Sequence, residues 1–316
     1  MSQELQKILP DVSVLIPSYN HAPFIEKCLK SIFEQTLHPK KLLVIDDGSK
    51  DDSPQIIEKL LKDCPFESEL VVRENRGLCV TLNEGFAKTS GEFFAYVGSD
   101  DFWMPTFLEE RVKLLVKRPS AVLGYGHSFF IDEKDSILDS TENYSDSWAN
   151  YPDGDPRSLL LQGISPISST ICYRRTELEK VRWNENSVLE DYEMYLQIMK
   201  YGEFAFDSQI LSVWRQHSYN TSKNIRMLLD EVINAQNRIE GDLDIEKTEF
   251  EHYQVKTKFR FARDFLQNGH KKEAFQLAKE SWRGANSNNE IANFLFRMLV
   301  PMGIINFRRK IKMGRG

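Results

Sequence analysis

The chain has 316 residues, 41% hydrophobic and 28% charged, ordinary for a globular protein and long enough for one main domain plus an appendage. A formal net charge of −6 carries no basic footprint, so nucleic acid is not expected as a partner. The cysteines Cys28, Cys64, Cys79 and Cys172 share no metal spacing, the start of the chain has no apolar leader, and no run is long enough to span a bilayer; a reduced, cytoplasmic protein is expected.

Val12–Ile16 reads as a short strand ending at Pro17. Phe24, Ile25, Cys28, Leu29, Ile32 and Phe33 then recur at helical spacing, with Asn20 near the start and Pro39 past the end. Cys28, and Cys79 further on, fall on apolar helix faces as small core residues. Leu42–Ile45 is a second strand, closing on Asp46-Asp47-Gly48-Ser49. Ser53-Pro54 opens a helix, with Ser53 as its cap. Leu70–Val72 is a third strand, Leu78–Ala87 a helix, and Phe93–Val97 a fourth strand. This alternation predicts an α/β fold with a parallel sheet and helices on both faces. Ligands of such sheets bind at the carboxyl ends of the strands. Pro17 to Asn20, Asp46-Asp47 and Asp100-Asp101 all fall there, which points to one shared pocket.

Gly98-Ser99-Asp100-Asp101 follows the fourth strand directly. Two carboxylates where a buried strand surfaces are costly unless a positive group joins them. A hard divalent cation carrying a phosphate is the usual guest. The competing reading is a cap on the helix that follows Pro105. Beyond about residue 120 the pattern is less regular. Asp132 to Asp155 reads as a long loop, Ser169–Tyr173 as a strand, and a helix begins near Glu190. From Lys223 on only helical spacing remains, including a helix–turn–helix around Asn268-Gly269-His270. The tail from Asn293 mixes bulky apolar residues with Arg308, Arg309, Lys310, Lys312 and Arg315 and lacks acids. Such a segment suits the surface of an anionic membrane, or else packs as a terminal helix with a frayed basic end.

Seven pieces in order resemble family 2 glycosyltransferases of the GT-A fold. They are VSVLIPSYN at 12–20, VIDDGS at 44–49, ENRGL at 74–78, NEG at 83–85, GSDDFWMP at 98–105, LEDYEMYL at 189–196 and WRQHSYNTS at 214–222. The resemblance implies a Rossmann-like, mostly parallel sheet flanked by helices, with a C-terminal helical appendage. It further implies a nucleotide-sugar half at 1–120, an acceptor half at 121–223, and a helical region with a basic apolar tail at 224–316. Pro17 and Tyr19 would line the nucleotide base, and Asp47 would accept its N–H, which favours UDP- or dTDP-sugars. The plainer reading of Asp46-Asp47-Gly48-Ser49 is a helix-capping turn. Arg76 and Ser99 would complete the nucleotide side, although Arg76 also reads as an exposed charge.

The family's Asp-x-Asp motif starts here at Gly98, a departure from the pattern. Asp100 is left as the expected ligand of Mn2+ or Mg2+, with Asp101 as helper or cap. Asp191 would be the general base taking the acceptor proton, beside Glu190; both acids also suit a helix start. Arg215 and His217 would face the diphosphate, with His217 as a second metal ligand or an ordinary histidine. The family inverts the anomeric centre. The pattern of processive synthases is absent, so the resemblance implies transfer of one or a few sugars to a saccharide acceptor; the basic apolar tail adds the expectation of a lipid-linked acceptor and of contact with the inner face of the cell membrane. The alternative is a non-catalytic sugar-nucleotide-binding scaffold, which Gly98 keeps open.

Overall fold

The first apolar run forms β1 (Val12–Ser18), buried along nearly its whole length because strands flank it on both sides. The computed structural model describes residues 9–143, 153–217 and 224–300. After β1 come α1 (Ile25–Phe33), β2 (Lys41–Asp46), α2 (Ser53–Leu61), β3 (Ser68–Val72), α3 (Leu78–Ala87) and β4 (Phe93–Tyr96). β1 pairs in parallel with β2 and β4, and β2 with β3, so four strand ends open onto one edge. Ile25, Cys28, Leu29 and Ile32 form the buried face of α1, packed with Val14, Ile16 and Val44 of the sheet.

The second half of the sheet is mixed. It is built from β5 (Phe102–Trp103), α4 (Phe107–Lys117), β6 (Ala121–Ile131), β7 (Ile137–Ser140), β8 (Cys172–Arg174), α5 (Glu190–Ile198) and β9 (Glu203–Arg215). The strand order is β3-β2-β1-β4-β8-β6-β9-β5, with β7 off this path and paired to the end of β6 at Phe129–Ile131. β8 runs antiparallel to both β4 and β6, whereas β6 and β9 are parallel.

Several expectations change here. β6 and β9 are long strands that sequence periodicity missed. The predicted loop at 132–155 holds β7 and a 3-10 turn at Thr141–Asn143, and its remainder at 144–152 lies outside the described residues. The strand expected at Ser169–Tyr173 is shifted to Cys172–Arg174, behind a 3-10 turn at Ser168–Thr170. Ser53 is the first residue of α2 rather than its cap. Asp51 binds the Ser53 backbone N–H (3.0 Å) and hydroxyl (2.6 Å) instead.

Gly126 explains part of why β6 was missed. Arg111 of α4, fully buried, reaches Asp207 of β9 (2.8 Å). A Cβ on Gly126 would collide with the Arg111 guanidinium and the Asp207 carbonyl. The strand therefore carries a glycine where a β-former would normally stand.

The chain divides into two compact units, 1–159 with 165–218, and 160–164 with 219–316. The second contains α6 (Ile225–Ile239), α7 (Lys247–Gln267), α8 (Lys271–Ser281) and α9 (Asn288–Leu299). Asn224 caps α6 through the Met227 N–H (3.1 Å), and Ser287 caps α9 through the Glu290 N–H (3.2 Å). The buried Gln236 donates to the Leu161 carbonyl (2.9 Å), tying the 160–164 segment to α6. Phe259, Trp282 and Phe294 pack together, while Leu295, Phe296 and Leu299 on another part of α9 are 44%, 64% and 84% exposed. The basic tail from 301, like residues 218–222 of the last motif, lies outside the described residues.

Candidate active site at the strand ends

Parallel register sets Ser18 of β1 beside Asp46 of β2, so the two following loops are neighbours. Asp46 is fully buried and accepts from the Ser18 hydroxyl (3.0 Å), the Ser49 N–H (2.8 Å) and the Ser49 hydroxyl (2.7 Å). Asp47 takes the backbone N–H groups of Arg76 and Gly77 (2.8 Å each) and the Arg73 guanidinium. A carboxylate offers about four acceptor sites, so Oδ2 keeps room for one more donor. Gly48, directly after Asp47, has φ +79°, and a Cβ there would lie 2.8 Å from the Asn75 nitrogen. Pro17 is half-buried, Tyr19 is exposed, and the Arg76 side chain is 60% exposed, 3.8 Å from Glu84.

The loop after Tyr19 is clamped. Asn20, expected near a helix start, instead takes a left-handed conformation (φ +55°), which asparagine tolerates. Its N–H donates to the Ser49 hydroxyl (2.8 Å), and its side-chain oxygen accepts from the Lys50 N–H (2.7 Å). The His21 N–H donates to the Ser53 hydroxyl (3.1 Å) and the Ala22 N–H to Asp51 (2.9 Å). His21 is thus held by bonds on either side of it.

The loop after β4 is fixed by β5, where Phe102 pairs with Val213 and Trp103 with Ser212 of β9. Trp103 is buried against Phe107 and donates its indole N–H to the Ser169 carbonyl (2.6 Å). This pairing brings the end of β9 to the paired acids. The Arg215 N–H donates to Asp101 (2.8 Å), and the Arg215 guanidinium donates to the Asp100 carbonyl (2.9 Å). Two residues on, His217 Nε2 donates to Asp100 Oδ2 (2.9 Å). The Phe24 ring stacks on His217 and lies under the Arg215 guanidinium.

Asp100 is therefore flanked on two sides. His21 Nδ1 is 3.7 Å from its Oδ1 and 2.8 Å from the Ser99 hydroxyl. The candidate ligand atoms of His21, Asp100 and His217 all lie within 4.8 Å of one another. Asp101 is not among them. Burial works to raise the Asp100 pKa, but the His217 hydrogen bond and the His21 imidazole hold it below the ordinary value. Burial and the adjacent Asp100 charge push Asp101 well up, against the pull of Arg215. Burial lowers His21, with Asp100 opposing. A Cβ on Gly98 would lie 2.8 Å from Asp100 Oδ1, so the carboxylate occupies space that a side chain at 98 would fill.

Glu190 and Asp191 open α5, as expected, and are half-buried. Burial and the charge of Asp191 raise Glu190 to about 8. Burial raises Asp191 to about 6, although the Tyr192 N–H donates to it (2.6 Å). Burial and the neighbouring Tyr173 push up the hydroxyl of Tyr96 at the end of β4, the strand that runs on into Gly98 to Asp101, and the two acids at the start of α5 lie near enough to add to that shift when ionised. Sequence reading missed His21. Its only signal was its place directly after the Pro17–Asn20 loop.

The sequence model of the family described as "Glycosyl transferase family 2" matches residues 13–182. An uncharacterized glycosyltransferase of Nostoc sp. is 31% identical over 175 residues, 54% of this chain and 52% of that protein. A putative glycosyltransferase of Bacillus subtilis is 31% identical over 176 residues, 55% of this chain and 49% of that one. The chain thus spans about half the length of these curated relatives. Among solved structures, S. aureus TarS 1-349 in complex with UDP-GlcNAc aligns with a TM-score of 0.63 at 17% identity, covering 91% of this chain and 81% of that one. The mannosyltransferase PcManGT from Pyrobaculum calidifontis, in complex with GDP-Man and Mn2+, aligns at 0.64 and 16% identity, covering 91% and 79%. At these identities the likeness is one of fold.

Proposed function

Because the chain belongs to glycosyl transferase family 2, we propose that it moves a sugar from a UDP- or dTDP-sugar to a hydroxyl of a saccharide or lipid-linked saccharide, inverting the anomeric centre. The observation that carries this reading is Asp100, held next to His217 at the strand ends beside the two loops expected to take the nucleotide. Residues 1–120 then serve the donor, 121–223 the acceptor, and 224–316 form the helical appendage.

On the donor side, Tyr19 offers its exposed ring to the base. Asp47 accepts the base N–H on its remaining acceptor site, its other sites being held by Arg73, Arg76 and Gly77. Arg76, whose side chain is 60% exposed, would meet the base or a phosphate, and Ser99 would complete the nucleotide side. The donor set of one carboxylate flanked by imidazoles fits a divalent cation, Mn2+ or Mg2+. Asp100 and His217 would hold such a cation, which would supply Lewis-acid neutralisation of the leaving nucleoside diphosphate. Asp101 and Arg215 hold the Asp100 loop in place through their mutual hydrogen bond.

On the acceptor side, Asp191 takes the proton of the attacking hydroxyl. With a pKa near 6 it is ionised at neutral pH yet basic enough to accept that proton. Glu190, raised further, keeps its proton and adds no charge beside the base. No helix among the described residues is long and apolar enough to cross a membrane. The exposed Leu295, Phe296 and Leu299, followed in sequence by the basic tail, support peripheral contact with an anionic bilayer where a lipid-linked acceptor would lie.

The test is release of nucleoside diphosphate from a panel of UDP-, dTDP- and GDP-sugars with Mn2+ or Mg2+, offered water and simple glycosides as acceptors. Release from UDP- or dTDP-sugars, abolished in Asp100→Ala, supports the proposal. Tight donor binding by calorimetry with no release from any donor would instead favour a scaffold that binds the nucleotide without turnover.

A further inference from the structure

The imidazole on the other side of Asp100 flanks the proposed cation seat, but the motif pattern does not use it and the proposed mechanism gives it no ligand role. His21 sits between two backbone anchors: its N–H on the Ser53 hydroxyl, and its carbonyl accepting the Phe24 (2.9 Å) and Ile25 (3.0 Å) N–H groups that start α1. The preceding Asn20 and following Ala22 are tied to the loop after β2. A side chain on so fixed a backbone has few directions to point, and Nδ1 points at Asp100 and Ser99. His21 and His217 approach each other edge to face, with ring centroids 5.7 Å apart.

We infer that His21 is a third protein ligand of the cation, so that two imidazoles and one carboxylate hold it, and that this nitrogen-rich set selects Mn2+ over Mg2+. The inference rests on the metal-assisted reading above and adds a ligand and a selectivity to it. Metal–nitrogen bonds of about 2.1 Å place neighbouring donors on one ion about 3–4 Å apart. The 3.7 Å from His21 Nδ1 to Asp100 and the 2.9 Å from His217 Nε2 to Asp100 are already of that order. Binding requires the His217 ring proton to move from Nε2 to Nδ1 by exchange with solvent, and the Ser99 hydroxyl to rotate away from His21 Nδ1. Both are small motions that leave the backbone clamp untouched. Mg2+ prefers an all-oxygen octahedron and keeps its waters; Mn2+ also takes oxygen ligands, but as a first-row transition ion it accepts imidazole nitrogen more readily than Mg2+ does. Gly98 is consistent with this exchange: where the motif normally brings a leading carboxylate, the chain has no side chain, and an imidazole from another loop supplies the extra donor.

The full chain, stripped of metal, is titrated with MnCl2 and separately with MgCl2, with and without UDP, by calorimetry. Pulsed EPR of the bound Mn2+ reports the number of coordinated imidazole nitrogens. The wild type should bind Mn2+ at least about tenfold more tightly than Mg2+ and show two imidazoles. His21→Gln should show one imidazole and lose about tenfold or more in Mn2+ affinity, with Mg2+ affinity nearly unchanged. If circular dichroism shows His21→Gln unfolded, His21→Asn takes its place. A single imidazole in the wild type, equal affinities for the two ions, or spectra unaltered by the substitution would each overturn the inference while leaving metal-assisted transfer standing. Binding of neither ion, with or without UDP, would end both.

Discussion

Replacing Asp191 by asparagine is expected to stop transfer and also to make the protein more stable. Burial raises this carboxyl from 3.8 to about 6. A folded-state pKa above the unfolded one means the fold favours the protonated form. Stability is therefore fullest at low pH, falls as pH rises from 3.8 through about 6, and stays reduced above that. At about 1.36 kcal/mol per pH unit the penalty is about 3 kcal/mol, and about 1–2 kcal/mol once water at this half-buried position is allowed for. Asparagine carries no charge and escapes it, so the melting temperature above pH 7 should rise by roughly 3–6 °C. Loss of the base should lower kcat by about 10²–10⁴-fold. In the wild type, kcat/KM should fall about tenfold per pH unit below about 6, because only the ionised form accepts the proton. The groups acting on this carboxylate's surroundings are Glu190 on the same helix, Cys79 of α3, and the buried Tyr96, Tyr173 and Tyr195. All of these are raised by burial and neutral near pH 6, so Glu190→Gln should leave the acid limb where it is. The assay is nucleoside diphosphate release from pH 5 to 9, with calorimetric melting of both proteins. An asparagine variant within about tenfold of the wild-type rate, an acid limb near pH 4, or a lowered melting temperature would refute the reasoning.

Gly98→Ala places a methyl group 2.8 Å from Asp100 Oδ1. It should turn that carboxylate from His217 and weaken Mn2+ binding about tenfold, read by calorimetry. Gly126→Ala drives a Cβ into the buried Arg111 guanidinium. Breaking its pairing with Asp207 should cost about 3–5 kcal/mol in urea denaturation. Phe296→Asp with Leu299→Asp should abolish sedimentation of the chain with anionic vesicles, with no change in donor hydrolysis in solution. Retained sedimentation would remove the membrane part of the proposal.

The first half of the sheet was legible because β1 to β4 are short apolar runs separated by helices with their own periodicity. β6 and β9 were not. β6 carries Gly124 and Gly126 and buries Ser128, whose N–H bonds the Thr141 hydroxyl (3.0 Å), while β9 is broken by Asp207-Ser-Gln near a register shift. A strand whose polar residues are satisfied from elsewhere in the fold looks, residue by residue, like a loop. The same limit applies to the site. Asp100 and Asp191 stood out because each follows or opens an element with a clear pattern. Asp101 read as a helper or cap beside Asp100, but its partner was not legible, since only the β5–β9 pairing gives it the Arg215 N–H. His21 gains its place from Ser53 and Asp51 in a different loop, a relation no local pattern encodes.

Asp100 and His217 stand 117 positions apart along the chain, joined by the short β5–β9 ladder. A ribosome must therefore pass His217 before the proposed cation seat is complete, and a fragment halted earlier would carry the loops proposed to take the nucleotide without it. On the proposed reading the site stays incomplete until the chain has been made as far as residue 217, more than two thirds of its 316 residues.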